Sequence, residues 1–190
     1  TVRAAVNEKK KLFEYQKDFF QSALEKASSQ STEAYVFGDS DDLSLTQKFL
    51  DLLLKHRLDV YEVDSDIQQD GKQFEAGSSY MVPTDQIHYR VIHDIFEANT
   101  SFPDSVFYDI TGWSLVHGYG IQYEEMESDR FRKFQGNKIS ELPGRNGTVK
   151  GGSSDYAYLL KWSDFNASPA LNNLLALDLT VRVAHKPFTA

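Results

Sequence analysis

"EAYVFGDSDDLSLTQKFLDLLLKHRLDVYEV", residues 33–63, is the stretch on which the fold turns. It opens with a short apolar run, 33–38, of the kind a buried strand shows. Leu45, Phe49, Leu52, Leu53 and His56 then fall on one stripe of a helix, whose start Ser40 or a neighbouring aspartate can cap. "DVYEV" (59–63) returns to strand character. A strand, an amphipathic helix and a second strand in immediate succession read as a β-α-β unit.

Working outward, "SSYMVP" (78–83) reads as a third strand, followed by the helix "QIHYRVIHDIFE" (86–97) with Thr84 or Asp85 as its cap. "DSVFYDIT" (104–111) reads as a fourth strand entered after Pro103, and a helix-like segment dotted with Gly118 and Gly120 comes next. "YAYLLKW" (156–162) and "LTVRVA" (179–184) are further strands around a short helix, 168–177. Upstream, Leu12, Phe19, Phe20, Ala23, Leu24 and Ala27 recur at helical spacing over residues 8–28, with a charged opposite face. Residues 64–77 read as a polar loop and 126–155 as an irregular excursion. Such alternation predicts an α/β fold: a three-layer sandwich with a mainly parallel sheet covered on both faces.

The composition removes several classes of function. A net charge of −8 argues against a nucleic-acid partner, because binding phosphates needs clustered Lys and Arg. The one basic run, Lys9-Lys10-Lys11, lies between Glu8 and Glu14 and reads as a solvated helix face. With no cysteine, the chain has no disulfide, no thiolate nucleophile and no Cys-ligated metal. No apolar run approaches the roughly 18 residues of a membrane span. The opening "TVRAAVNEKKK" has neither Met nor a signal-peptide core, and reads as the start of a piece of a longer polypeptide. Nothing in the composition fixes compartment or oligomeric state.

The candidate sites are then weighed by chemistry. "VFGDSDDLS" lacks the G-x-G-x-x-G phosphate fingerprint, and Asp39, Asp41 and Asp42 would repel an anion at the helix start. Asp66, Gln68, Asp70 and Gly71 match early positions of a calcium loop, but Gly77 stands where a bidentate Glu belongs, so a polar turn is the better reading. His88 and His93 lie about 140° apart around a helix and cannot share a metal, whereas His93 can face Glu97 and Arg90 can pair with Asp94. His56, His117 and His185 are scattered.

The stretch "DSVFYDITGWSLVHGYG" (104–120) has the outline of a nucleophile elbow, a strand meeting a glycine turn before a helix. Gly112 and Ser114 satisfy half of G-x-S-x-G, but Val116 occupies the second glycine's place. Because ligands favour the C-terminal ends of strands in open α/β sheets, a vestigial pocket is expected from Asp109, Thr111, Gly112, Trp113 and Ser114, with Gln86 and His88 facing the same sheet edge.

"YMVPTDQIHYRVIHDIFE", "FPDSVFYDITGWSLVHGYGIQ", "YAYLLKW" and "VRVAHKPF", in this order, resemble the C-terminal part of bacterial zinc carboxypeptidases of the carboxypeptidase A type. The resemblance spans roughly residues 10–190 and implies a class I glutamine amidotransferase-like, flavodoxin-like domain placed after the peptidase domain. It implies an N-terminal linker or docking helix over 1–30 and a single domain over 31–190. The family's zinc ligands, His-x-x-Glu plus a distant His, are not recognisable here, and neither is the amidotransferase thiol. The expectation is therefore a non-catalytic accessory domain without a cofactor of its own. Zinc and peptidase activity would reside in an upstream domain of the parent, for which a periplasmic or secreted location would be expected, while the compartment of this chain stays unassigned. Two alternatives remain open: a serine hydrolase centred on Ser114 with His117 or another His as base, and a peptide- or glycan-binding module using Trp113, Tyr119, Tyr123, Tyr156, Tyr158 and Trp162.

Overall fold

A computed structural model of the protein describes residues 2–98, 115–127, 129–144, 147 and 149–186. The chain divides into two compact units, Thr1–Pro143 and Gly144–Ala190.

In the first unit, helix α1 (Val2–Asn7) runs into α2 (Lys9–Ser28), and the main-chain bonds Glu8 N to Ala4 O and Leu12 N to Glu8 O carry the helix across the junction. Strand β1 (Thr32–Gly38), helix α3 (Leu43–Lys55) and strand β2 (Tyr61–Val63) follow. Asp42 is the aspartate that caps α3, its Oδ1 accepting from Leu45 N at 2.9 Å. Next come β3 (Ile67–Gln69), β4 (Lys72–Phe74), β5 (Ser79–Pro83) and α4 (Tyr89–Phe96). The C-terminal part of the unit contains α5 (Leu115–Tyr119), β6 (Tyr123–Glu127), a 3₁₀ segment (Asp129–Phe134) and β7 (Gln135–Lys138).

The expected parallel sandwich is not what forms. Five strands make one sheet in the order β6-β1-β5-β2-β7, and every pairing is antiparallel. The reason lies in what a β-α-β run determines. β1 and β2 do point the same way, but β5 inserts between them and runs opposite to both. β5 and β6 likewise share a direction on either side of β1. Two split β-α-β units therefore interleave, and each gap is filled by a strand of the other.

The continuous apolar runs have the same origin. An antiparallel sheet often leaves one face wet, and its strands then alternate. Here both faces are covered. Tyr35 and Phe37 of β1, with Tyr80 and Val82 of β5, face a core completed by Phe49, Leu50 and Leu53 of α3, Ile92, Ile95 and Phe96 of α4, and Val116 of α5. Ala34, Val36 and Met81 face the other way, onto Ile67 and Phe74 of the β3–β4 hairpin and Phe131 of the 3₁₀ segment. Aromatic rings tie the helical side together: Phe96 stacks on Tyr35 at 4.5 Å and meets Phe49 edge-on at 5.6 Å.

The polar loop expected over 64–77 is instead a two-stranded hairpin, with Gln69 opposite Lys72. Asp70 and Gly71 take φ of 47° and 80°, the two left-handed positions of a tight hairpin turn. Thr84 does not cap α4, because its hydroxyl donates to the carbonyls of Thr32 and Glu33; the helix starts at Tyr89 without a side-chain cap bond.

In the second unit the described residues hold one helix, α6 (Ala167–Ala176), and no strand. The segments 156–162 and 179–184, read from sequence as strands, form no strand and are exposed. The strand expected over 104–111 falls outside the described residues.

Candidate functional site

A cleft of about 800 Å³ opens along β6. All five β6 residues, Tyr123 to Glu127, line it. Its other walls are the β3–β4 hairpin, through Ile67 to Asp70 and Lys72, and the 3₁₀ segment and its end, through Arg130, Lys133 and Phe134. His117 of α5 joins at the Tyr123 end.

The hairpin turn places Lys72 at the first position of β4, from where its ammonium reaches across to β6. Nζ donates to the carbonyl of Tyr123 at 3.0 Å, contacts the Glu124 carboxylate and lies 5.7 Å from the centre of the Tyr123 ring. This crossbar matches one cation to one anion and a π face, which fixes the hairpin against the sheet. Tyr123 Oη lies 3.3 Å from His117 Nε2. Burial, and then the carboxylates of Glu125 and Glu124, push the Tyr123 phenol above its ordinary range. Which of the two groups donates in that contact depends on the imidazole tautomer. At the opposite end, Arg130 and Lys133 are exposed cations, and the Lys133 ammonium lies 4.6 Å from the centre of the Phe134 ring.

The sequence-derived pocket residues are distributed differently. Gln86 is a clasp: its Oε1 accepts from Asp59 N at 2.7 Å, and its Nε2 donates to the carbonyls of Asp59 and Pro83. It ties the turn before α4 to the start of β2 and is not part of the cleft. His88 sits immediately before α4 and meets the Phe20 ring edge-on at 5.9 Å, which helps hold α2 on α4. Asp109, Thr111, Gly112, Trp113 and Ser114 lie outside the described residues. Of the aromatic candidates, Tyr123 lines the cleft and Tyr119 packs on Phe49 at 5.2 Å. Tyr156, Tyr158 and Trp162 are exposed in the second unit.

His93 does meet Glu97, with Nδ1 3.3 Å from Oε2, and Asp94 lies beside them. One imidazole and two exposed carboxylates from adjacent turns of one helix do not reproduce the His-x-x-Glu plus distant His that the resemblance implies for zinc. Arg90 does not reach Asp94; its guanidinium bonds the Ser22 hydroxyl at 3.0 Å and covers the Phe19 ring at 4.8 Å. Asp66 serves its own loop, with Oδ1 accepting from Ala76 N at 2.9 Å.

The sequence reading passed over the cleft because its walls come from segments taken as loop. The signal was present in "QQDGKQ" (68–73), where Asp-Gly marks a two-residue hairpin turn.

Fold and site together define a mixed α/β domain with an antiparallel sheet and a polar cleft along its outer strand. No family model, no curated protein and no solved structure matches the chain. Among the described residues, no helix is long and apolar enough to cross a membrane.

Proposed function

We propose that this chain is a non-catalytic accessory domain of a zinc carboxypeptidase-like protein, joined to the peptidase domain through α1 and α2. The ordered blocks quoted from the sequence support the parent family. The single structural observation that supports the accessory role is an apolar stripe that outruns its own domain.

Val6, Phe13, Phe20 and Ala27 follow one another at seven-residue intervals and so lie along one line of the helix. The C-terminal half of that line is used: Ala23 and Ala27 are buried against Tyr89, and Arg90 locks Ser22 and Phe19. The N-terminal half continues uncovered, with Phe13 59% and Val6 68% exposed, and Leu12 and Val2 beside them. Apolar side chains in line with a packed seam, on a helix of roughly 40 Å, suit a second surface docked on the same face. Lys10–Glu14 and Lys11–Glu8 ion pairs occupy the flank and keep it solvated.

The test compares the isolated chain with the longer polypeptide that carries an upstream peptidase domain. Release of C-terminal amino acids from a peptide is expected only from the longer protein, and a chelator should abolish it. Added in trans, the isolated chain should bind the purified peptidase domain, and Phe13→Glu should weaken that binding at least tenfold. Peptidase or esterase activity in the isolated chain would overturn the proposal.

A further inference from the structure

We propose that β6 takes up an extended peptide as an added strand, with a carboxylate of that peptide held by Arg130 and Lys133. This goes beyond the docking role of α2 and does not depend on it.

β6 is one of the two outer strands of its sheet, with β1 as its one neighbour among the described residues. In an antiparallel pair, alternate residues direct their main-chain groups toward the partner and away from it. The phase here is fixed by two bonds. Gly38 N donates to the carbonyl of Gln122 from the β1 side, and Lys72 Nζ donates to the carbonyl of Tyr123 from the hairpin side. With Val36 opposite Glu124, the main chain of Gln122 and Glu124 faces β1, and that of Tyr123 and Glu125 faces outward. Lys72 already occupies the Tyr123 carbonyl. Among the described residues nothing bonds the outward N–H and C=O of Glu125, and its carboxylate is turned back to accept from the Thr32 hydroxyl at 2.7 Å.

An open ladder position on a sheet edge is a template for an incoming strand, which gains affinity from main-chain bonds and specificity from side-chain pockets. The cleft supplies both. Phe134, half-buried, is the apolar wall that a peptide side chain can meet, with Ile67 and Met126 buried behind it. The Lys72 crossbar closes the Tyr123 end, where its charge is already matched by Glu124. At the open end Arg130 has no ion pair among the described residues, and Lys133 stands with it. Two cations beyond the end of a strand are suited to a side-chain or terminal carboxylate.

The probe is a fluorescein-labelled extended peptide, Gly-Thr-Val-Thr-Val-Asp, titrated by fluorescence anisotropy into the full chain. Saturable binding is expected, with a loss of tenfold or more when the aspartate becomes asparagine and the C-terminus is amidated. Single modifications show which carboxylate is read. Arg130→Glu should weaken the unmodified peptide to a similar extent and leave the fully modified one unchanged. Glu125→Pro removes the outward N–H and the side-chain bond from Thr32 but no main-chain bond to β1, at a position where an edge strand tolerates proline. It should abolish binding while the far-ultraviolet circular dichroism and melting midpoint stay in place. If Glu125→Pro unfolds the chain, Arg130→Glu alone decides. The proposal falls if the unaltered chain shows no saturable binding at millimolar peptide, or if both variants bind normally. It falls equally if the chain self-associates in sedimentation through β6, since a second copy would then own the edge.

Discussion

The segments "EAYVFG" (33–38) and "YAYLLKW" (156–162) have nearly the same apolar and aromatic character and opposite fates. The first is a strand with neighbours on both sides, and Val36 and Phe37 are fully buried. In the second, Tyr156 is 100% exposed and Trp162 63%, with no ladder at all. Strand character is thus a property of pairing more than of composition, since β-propensity reports how a side chain fits a half-buried neighbour. The helix of the second unit makes the same point: of α6, only Ala167 is buried. A helix of this length draws little stability from propensity alone and depends on a covered face.

The sharpest way to break this comparison is a pair of truncations. Phe96 touches the rings of Tyr35, Phe37, Phe49 and Tyr123, so Phe96→Ala opens a cavity on the helical side of the sheet. A loss of about 3–5 kcal/mol is expected in urea denaturation followed by circular dichroism. Trp162→Ala, an equally large deletion at an exposed site, should cost less than about 0.5 kcal/mol. A comparable loss at Trp162 would mean that 156–162 is buried in solution and that the contrast between the units is wrong.

A middle-sized effect distinguishes glycines in the same two regions. Gly38 closes β1 at φ 148°, and a Cβ there would stand 2.7 Å from the carbonyl oxygen of Ser78 and 2.7 Å from Ser79 Cα. These are backbone atoms of the facing strand and its approach, with no rotamer to swing aside. Gly38→Ala should therefore cost on the order of 1–3 kcal/mol. Gly144, which has nothing within 4 Å of its would-be Cβ, should accept alanine with little change in melting midpoint or a slight gain. Equal midpoints for the two variants would show that β5 yields at Ser78 and Ser79.

How far the sequence could be read follows from which signals are local. The helices 9–28, 43–55 and 89–96 were legible because a stripe repeats within one turn or two; the α3 cap was legible only as Ser40 or a neighbouring aspartate, of which the structure uses Asp42. The strands at 33–38 and 78–83 were legible as well, since both are buried on two faces. Their neighbours were not. Nothing within 33–63 records that Met81 will lie between Val36 and Tyr61, because that contact belongs to a segment some twenty residues further on. A β-α-β run fixes direction without fixing adjacency, and the parallel sheet was an inference about adjacency. The cleft was lost for another reason: its chemistry comes from Lys72, Tyr123 and Arg130, unremarkable residues until the Asp70-Gly71 turn brings the hairpin onto β6. Gln86 illustrates the converse. A polar residue after a strand was read as a pocket group, and the structure spends all three of its hydrogen bonds on the main chain of Asp59 and Pro83.

The smallest effect lies at high pH and concerns phenols that the first unit encloses. Burial raises the Tyr35 hydroxyl well above the ordinary tyrosine range, and the carboxylate of Glu125 adds to it; Tyr89 and Tyr123 move the same way for the same first reason. A folded-state value above the unfolded one means that between the two the native chain holds a proton that the unfolded chain has released. Stability from these groups is complete below about pH 10, the unfolded value, and drains away as pH rises from there toward the folded values. Tyr35→Phe removes the ionisable group and retains the ring that stacks on Phe96. At neutral pH the variant should differ from the parent chain by less than about 1 kcal/mol. Above pH 10 its melting midpoint should fall less steeply, and the late, cooperative part of the phenolate absorbance titration should shrink. Parallel decline of variant and parent across that range would show that the Tyr35 ring is reached by solvent, and that the covered side of the comparison is more open than its packing implies.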